Sequence, residues 1–240
     1  MIKFEHITKK YDNKVVLDDV SFEVKEGEIL AIIGFSGSGK STSLKIISGL
    51  VEPDSGKVVV DSDNIAMVFQ YSALFDSLDI YENVSFAFHE RPDLRGKYPE
   101  DKIKEIVKEK LHLVGLNDIE TLYPSELSGG MQKRVSFARA IVTDPKVILY
   151  DEPTAGLDPV SSTIIEDYII QLKKELKATS IVVTHQMSTI TRTADYVIML
   201  YDGKVVWKGT PEELLRGDNP YSYQFVNAKR EGPMKTNTEV

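Results

Sequence analysis

Apolar residues recur along the chain with two different periods, which together predict alternating strands and helices. Strand patterns cover residues 2–7, 20–24 and 29–33, where apolar residues alternate with polar ones or form a short continuous run. Further short strands are predicted at residues 57–60, 66–69, 147–150, 181–184 and 196–200. The run at 147–150 is wholly apolar, which is typical of a central strand in a parallel sheet.

Helical spacing of apolar residues separates these strands. A helix is predicted over residues 40–50, a second one carries the stripe from Ile103 to Val114, and a third runs from Val160 to Leu176. Residues 71–142 are mostly helical in pattern and form an insertion. Because strands and helices alternate, we expect an α/β fold with a parallel sheet covered by helices.

Composition narrows the classes of function. The chain has 240 residues, a formal net charge of −8 and no cysteine. The negative charge argues against broad electrostatic attraction to nucleic acid, so no nucleic-acid partner is expected. The lack of cysteine excludes disulfides and thiolate metal sites. No run reaches the ~18 apolar residues of a membrane span, so a membrane function would need a second, spanning chain.

A glycine-rich segment between a predicted strand and a predicted helix carries the strongest chemical signal. It reads Gly34-Phe35-Ser36-Gly37-Ser38-Gly39-Lys40-Ser41 and fits the P-loop pattern G-x-x-x-x-G-K-[ST]. Glycines let several backbone N–H groups face one phosphate, and the following helix presents its positive end to that anion. We expect Ser36 to Thr42 to bind ATP, with Lys40 on the β and γ phosphates and Ser41 on Mg²⁺.

Two adjacent carboxylates follow the apolar strand at 147–150. Asp151 and Glu152 stand at its carboxyl end, the edge at which open α/β sheets bind ligands. We expect Asp151 to help hold Mg²⁺ and Glu152 to accept a proton from an attacking water. Acidic residues at a strand end are often only solvated termini, so this assignment depends on the P-loop.

A third motif, Leu127-Ser128-Gly129-Gly130-Met131-Gln132, lies upstream of these carboxylates. It resembles the LSGGQ signature of ABC ATPases. A Ser-Gly-Gly sequence that opens a helix makes a second anion-binding helix start. In that family each signature completes the ATP site of the other subunit. The resemblance therefore implies a dimer, with Ser128, Gly129 and Gly130 on the partner's nucleotide.

Other positions match further elements of the same family. Tyr11 stands where an aromatic ring stacks on adenine, and Gln70 matches the Q-loop residue that senses Mg²⁺ and the transmembrane partner. Asp158 lies in a D-loop, Ala155-Gly156-Leu157-Asp158, and His185 matches the switch histidine on the γ phosphate. The resemblance thus implies catalytic roles for Lys40, Gln70, Glu152 and His185.

The resemblance spans residues 2–217 and implies a RecA-like P-loop core, an antiparallel β region and an inserted helical lobe over about 71–142. Residues 1–217 would form the ABC ATPase domain and 218–240 a tail. As an ATPase subunit, the chain would power transport through separate transmembrane permease subunits, from the cytoplasmic face of the membrane. One departure is that residues 56–69 are short for the family, which predicts a trimmed β region.

A finer resemblance concerns the cargo. Residues 69–78 and 123–131 are similar to ATPases of Mla/Mce-type lipid transporters, as are Gln224-Phe225 and Gly232-Pro233 in the tail. Lipid is therefore the expected cargo, although importers of amino acids or osmolytes carry similar runs.

A different class of function also stays open. It is a soluble ABC ATPase outside transport, such as an iron–sulfur assembly scaffold subunit.

The tail carries a cluster of aromatic residues, Tyr221, Tyr223 and Phe225. Aromatic side chains of this kind are enriched where chains meet. The cluster predicts a short helix at residues 221–226 that packs on the cassette or on a neighbouring subunit. From Gly232 onward the chain is expected to be loose unless the partner orders it.

Overall fold

The computed structural model describes residues 1–235 and confirms an α/β fold. Its strands are β1 (Ile2–Tyr11), β2 (Lys14–Val24), β3 (Ile29–Ile33), β4 (Ser55–Val60), β5 (Ile65–Val68), β6 (Val147–Asp151), β7 (Thr179–Val183), β8 (Tyr196–Tyr201) and β9 (Lys204–Gly209). Its helices are α1 (Lys40–Ile47), α2 (Ile80–Glu90), α3 (Glu100–Leu113), α4 (Gly129–Ile141), α5 (Pro159–Leu176), α6 (Met187–Thr193), α7 (Pro211–Arg216) and α8 (Pro220–Val226).

The larger sheet brings three loops together at one edge. Its strand order is β5-β6-β7-β3-β8-β9, and every neighbouring pair is parallel except β8 with β9. Strands β3, β6 and β7 are buried at every residue, which explains their continuous apolar sequences. Because their carboxyl ends share one edge, the loops that begin at Gly34, Glu152 and Thr184 lie side by side.

A smaller antiparallel sheet packs beside the larger one. Its order is β2-β1-β4, and Ile2 at the start of β1 pairs with both Val24 and Val60. Phe4 and Leu17 from this sheet share a buried cluster with Leu149 of β6. The link from β4 to β5 spans only residues 61–64, so the short region noted in the sequence corresponds to an abrupt passage from one sheet to the other.

Helices α2, α3 and α4 pack on one another and, through α4, on β5. Val84, Val107 and Phe137 are buried in the core they share with Tyr150 of β6. The start of α2 is fixed by a capping box, in which Asp79 and Glu82 each accept a hydrogen bond from the other's backbone N–H. The helical character predicted for residues 71–142 is confirmed.

Several boundaries differ from the sequence prediction. Helix α1 ends at Ile47 rather than at residue 50, because Gly49 takes a left-handed φ of 75° and the N–H of Leu50 turns back to the carbonyl of Lys45. Strand β9 and helices α6 and α7 were not predicted. They are short elements whose apolar residues show no extended period.

The end of the chain departs further from expectation. The predicted tail helix is present as α8, whose Tyr221 and Phe225 join a cluster on the cassette. The expectation that residues from Gly232 onward are loose was wrong for the described part, because Met234 is fully buried in the same cluster. Residues 236–240 lie outside the described residues. Over residues 1–235, no helix is both long and apolar enough to cross a membrane.

Candidate active site

The loop between β3 and α1 is built so that backbone atoms can approach closely. Gly34, Gly37 and Gly39 have φ values of 143°, 79° and 101°. A Cβ atom on Gly34 would lie 2.1 Å from the carbonyl oxygen of Leu200, and one on Gly39 would lie 2.6 Å from Leu17 Cδ2. No side chain caps the start of α1, which leaves backbone N–H groups of its first turn available to an anion.

The side chain of Lys40 is held over this loop by hydrogen bonds to backbone carbonyls of the loop. Its Nζ donates to the carbonyl oxygens of Gly34 at 2.8 Å and Phe35 at 3.0 Å. Burial lowers the pKa of Lys40, and the nearby carboxylates of Glu152 and Asp151 act against that shift. The ammonium group therefore has few water contacts and lies close to two acidic side chains. An anionic ligand would form stronger hydrogen bonds with it than the two carbonyl groups do.

Ser41 and Asp151 meet beneath the loop. The Ser41 hydroxyl donates to Asp151 Oδ1 at 3.0 Å, joining the first turn of α1 to the end of β6. Burial raises the pKa of Asp151, while the hydrogen bond from Ser41 lowers it. The pair presents a hydroxyl and a carboxylate oxygen at one point, and no buried cation other than Lys40 adjoins them among residues 1–235.

Glu152 and His185 form a second pair across the loops after β6 and β7. His185 Nδ1 lies 3.0 Å from Glu152 Oε1, and the Glu152 backbone N–H donates to the carbonyl of Val183 at 2.9 Å. Glu152 has a left-handed φ of 48°, which is uncommon for this residue type. Its second oxygen, Oε2, is buried and finds no hydrogen-bond partner within the described chain. One carboxylate oxygen is thus anchored by His185, while the other has an unfilled acceptor position.

A buried lysine that the sequence analysis missed connects this pair to the loop after β5. Lys133 on α4 is 6% exposed, and its Nζ donates to the backbone carbonyl of Gln70. Burial lowers the pKa of Lys133, and the charge of Glu152 partly offsets that effect. The only signal in the sequence was the position of Lys133 on the helix that the signature motif opens.

Most of the predicted ligands line one cleft of about 1070 Å³. The predicted residues on its walls are Tyr11, Ser36, Gly37, Gly39, Lys40, Ser41, Thr42, Gln70, Glu152 and His185. Tyr11 stands at the rim, 44% exposed, with Lys9 Nζ 5.5 Å from its ring centre. Ser38 and Asp151 are buried beside the loop and are not in the cleft wall. Residues 224–226 and 228–230 also line the cleft, and this was not predicted.

The signature and D-loop residues lie outside this cleft. Ser128 caps α4, accepting a hydrogen bond from the Met131 N–H at 3.3 Å, and Cβ atoms on Gly129 and Gly130 would meet nothing within 4 Å. Asp158 caps α5, and the hydroxyl of Ser161, 2.5 Å from Oδ2, is the main cause that lowers the pKa of Asp158. Within one chain, these four predicted ligands are not brought to the P-loop.

Comparison with known proteins agrees with this geometry. The sequence profile of the ABC transporter family matches residues 17–155. The chain is 42% identical to the chloroplastic protein TRIGALACTOSYLDIACYLGLYCEROL 3 of Arabidopsis thaliana, an alignment covering 98% of this chain and 76% of that one. It is 38% identical to the intermembrane phospholipid transport system ATP-binding protein MlaF of Haemophilus influenzae, covering 98% and 93%.

A solved structure is similar in fold. It is a dimeric post-hydrolysis state of an ATP-binding cassette with ADP and Pi, and it matches with a TM-score of 0.80 and 32% identity over 88% of this chain and 99% of that one. The resemblance seen in the sequence, the fold class and the ATPase activity that it implied are confirmed. The chain belongs to the ABC transporter family and is an ATP-binding, ATP-hydrolysing cassette.

Proposed function

We propose that two copies of this chain bind two ATP molecules between them, close, hydrolyse ATP and reopen, and that this cycle drives lipid transport through separate membrane subunits. The observation that carries the proposal is one cleft with a lysine, a serine–aspartate pair and a glutamate–histidine pair on its walls or beneath its loop. These groups match the needs of phosphoryl transfer, in which catalysis is mostly positioning and charge stabilisation.

Lys40 and the P-loop backbone are proposed to hold the phosphates. The two carbonyl contacts of Lys40 Nζ satisfy only part of its donor capacity, since an ammonium group has three N–H bonds. Phosphate oxygens carry more charge than carbonyl oxygens, so Lys40 would turn to them when ATP enters. Tyr11 at the rim offers an exposed ring on which adenine can stack.

Ser41, Asp151 and Gln70 are proposed to hold Mg²⁺. All three present oxygen atoms, the donor type that magnesium prefers, and Mg²⁺ usually binds through one or two carboxylates together with substrate phosphates. The described chain contains no cluster of three or more His, Cys, Asp or Glu side chains suited to a metal, which fits an ion held jointly with ATP. When bound, Mg²⁺ neutralises charge on the β and γ phosphates.

Glu152 is the proposed general base and His185 its orienting partner. His185 holds the carboxylate through Oε1, and Glu152 would accept the proton of a water that attacks the γ phosphate. Ser128, Gly129, Gly130 and Asp158 are proposed to act on the nucleotide of the other subunit. This assignment would explain why they lie away from their own cleft.

Lipid is proposed as the cargo because the names of two of the similar proteins refer to lipids. A methionine import ATP-binding protein is also 41% identical to this chain. Membrane subunits would then supply the spanning helices and hold the cassette at the cytoplasmic face. A scaffold ATPase outside transport is the alternative. Purification with the membrane subunits, followed by ATPase assays with added phospholipid or methionine, separates the three cases.

The test of the chemistry is Glu152→Gln, which keeps the shape of the side chain and removes the base. Hydrolysis should fall by about 10²–10⁴-fold while ATP still binds, and an ATP-dependent dimer should persist in gel filtration. Lys40→Ala is the control, because it should lose ATP binding itself. A Glu152→Gln protein with wild-type turnover would contradict the role given to Glu152.

A further inference from the structure

The end of the chain forms one wall of the ATP cleft. Six of its residues, Gln224, Phe225, Val226, Ala228, Lys229 and Arg230, line the same cavity as the P-loop, Glu152 and His185. We call residues 220–235 the C-terminal strap. The sequence predicted a tail apart from the ATP site, whereas these residues line the cleft that the P-loop also lines.

A two-bond clasp fixes the strap. Gln224 Nε2 donates to the carbonyl of Met234 at 2.7 Å, and the N–H of Met234 donates to Gln224 Oε1 at 2.8 Å. Gln224 is 2% exposed and Met234 is fully buried, so both bonds are shielded from water. A Cβ atom on Gly232 would lie 2.3 Å from Gln224 Cδ, so glycine lets the returning chain pass this closely. The clasp closes a loop that contains Lys229 and Arg230.

The strap is anchored to the elements that carry the phosphate site. Met234 belongs to the same apolar cluster as Ile33, which leads into the P-loop, and Phe35 within that loop. Phe225 packs against this cluster, as does Met187, two residues after His185. The N–H of Lys235 donates to the Tyr201 hydroxyl at 2.9 Å. The strap and the start of the P-loop therefore pack in one apolar cluster.

Lys229 and Arg230 are exposed at the cleft wall, and neither forms an ion pair with any group in residues 1–235. The backbone N–H of Lys229 donates to the carbonyl of Gln224 at 3.0 Å, which fixes the backbone at the base of the Lys229 side chain. A cleft that receives a polyphosphate gains from cations on more than one wall.

We propose that Lys229 and Arg230 bind the polyphosphate of the ATP held in the same subunit, so that the strap is a second cationic wall of the nucleotide site. This inference rests on the proposed assignment of the cleft to ATP. It adds a phosphate-binding element that lies outside the P-loop, the carboxylate strand and the signature motif.

The test is ATP affinity in the full chain with Lys229→Gln and Arg230→Gln combined. Both side chains are exposed, so each contact is worth up to about 1 kcal/mol, and the double variant should bind ATP roughly 5- to 30-fold more weakly. AMP, which lacks the polyphosphate, should bind the two proteins alike. The difference for ATP should shrink at high salt, because screening weakens exposed charge pairs.

Two matched variants show whether charge at this place is the cause. Lys104→Gln with Lys108→Gln removes the same charge from the exposed face of α3 and should leave ATP affinity unchanged. Lys229→Arg with Arg230→Lys keeps both charges and should retain most of the affinity. Equal loss in the α3 control and the strap variant would overturn the proposal, since net charge would then explain both.

A separate measurement addresses the clasp. Met234→Ala removes a buried side chain outside the cleft wall, so it should loosen the strap and weaken ATP binding in the same direction. Unchanged ATP affinity in the Lys229→Gln, Arg230→Gln double variant would overturn the inference, whatever Met234→Ala shows. If the wild-type protein binds no ATP while remaining folded, the assignment of the cleft itself fails, and Lys40→Ala marks that baseline.

Discussion

Gly34→Ala tests whether the phosphate site depends on the close approach of two backbones. The added Cβ would lie 2.1 Å from the Leu200 carbonyl oxygen and 2.8 Å from Ser38 Oγ, and Gly34 has a φ of 143°. Leu200 is fully buried in β8, so its backbone cannot move aside without disturbing the packing around it. Backbone strain should lower the free energy of unfolding by about 1–3 kcal/mol and overpacking by about another 1–3 kcal/mol, which together make roughly 2–6 kcal/mol. For a chain of this size that is a fall in Tm of roughly 5–20 °C.

Gly37→Ala is the matched control in the same loop. Gly37 has a φ of 79°, but a Cβ there would meet nothing within 4 Å, so only left-handed strain of about 1–2 kcal/mol is expected. Calorimetry without nucleotide measures both variants, and ATP titration of each follows. Equal melting temperatures for the two alanine variants would refute the claim that contact with Leu200 makes glycine necessary at residue 34.

Two further predictions concern buried carboxylates. Burial raises the pKa of Asp151, so its ionised form destabilises the nucleotide-free fold. Asp151→Asn should therefore raise Tm at neutral pH, with no gain below the ordinary carboxyl pKa near 4, and the stabilisation by Mg-ATP should be lost. Glu166 is fully buried, accepts from Thr189 at 2.9 Å, and has Arg192 Nε 2.8 Å from Oε2 without hydrogen-bond alignment. Glu166→Gln should therefore lower the free energy of unfolding, measured by denaturant titration, by about 1–3 kcal/mol. Asp167 is an exposed partner of the same arginine, so Asp167→Asn should lower it by under about 1 kcal/mol. Equal losses in the two variants would contradict this prediction.

The parts of the site that sequence could predict are those in which chemistry and local geometry occupy one short segment. The P-loop is such a case, because the strand, the glycine turn and the helix start follow one another from Ile29 to Ile47. Asp151 ends a buried strand and Glu152 follows it directly. Parallel pairing of β3, β6 and β7 then brings the segments together, and the alternation of strands and helices already implied that pairing.

The parts that sequence could not predict depend on contacts between distant residues. Lys133 is placed on Gln70 by the packing of α4 against β5. The strap depends on the side chain of one glutamine, Gln224, that meets the backbone of Met234. Neither residue type nor spacing indicates such a contact. Polar sequence near a chain end is usually loose, and here a buried methionine and a clasp outweigh that tendency.

The predicted ligands divide into two groups that only the fold can separate. The first group surrounds Lys40, and the second, with Ser128 and Asp158, caps α4 and α5 outside the cleft. Both groups contain helix starts, and each helix start favours an anion. Since one chain does not bring them together, a nucleotide that contacts both groups must lie between two molecules. The division of the site therefore fits the dimer that the signature motif implies, and a dimeric cassette of known structure has the same fold.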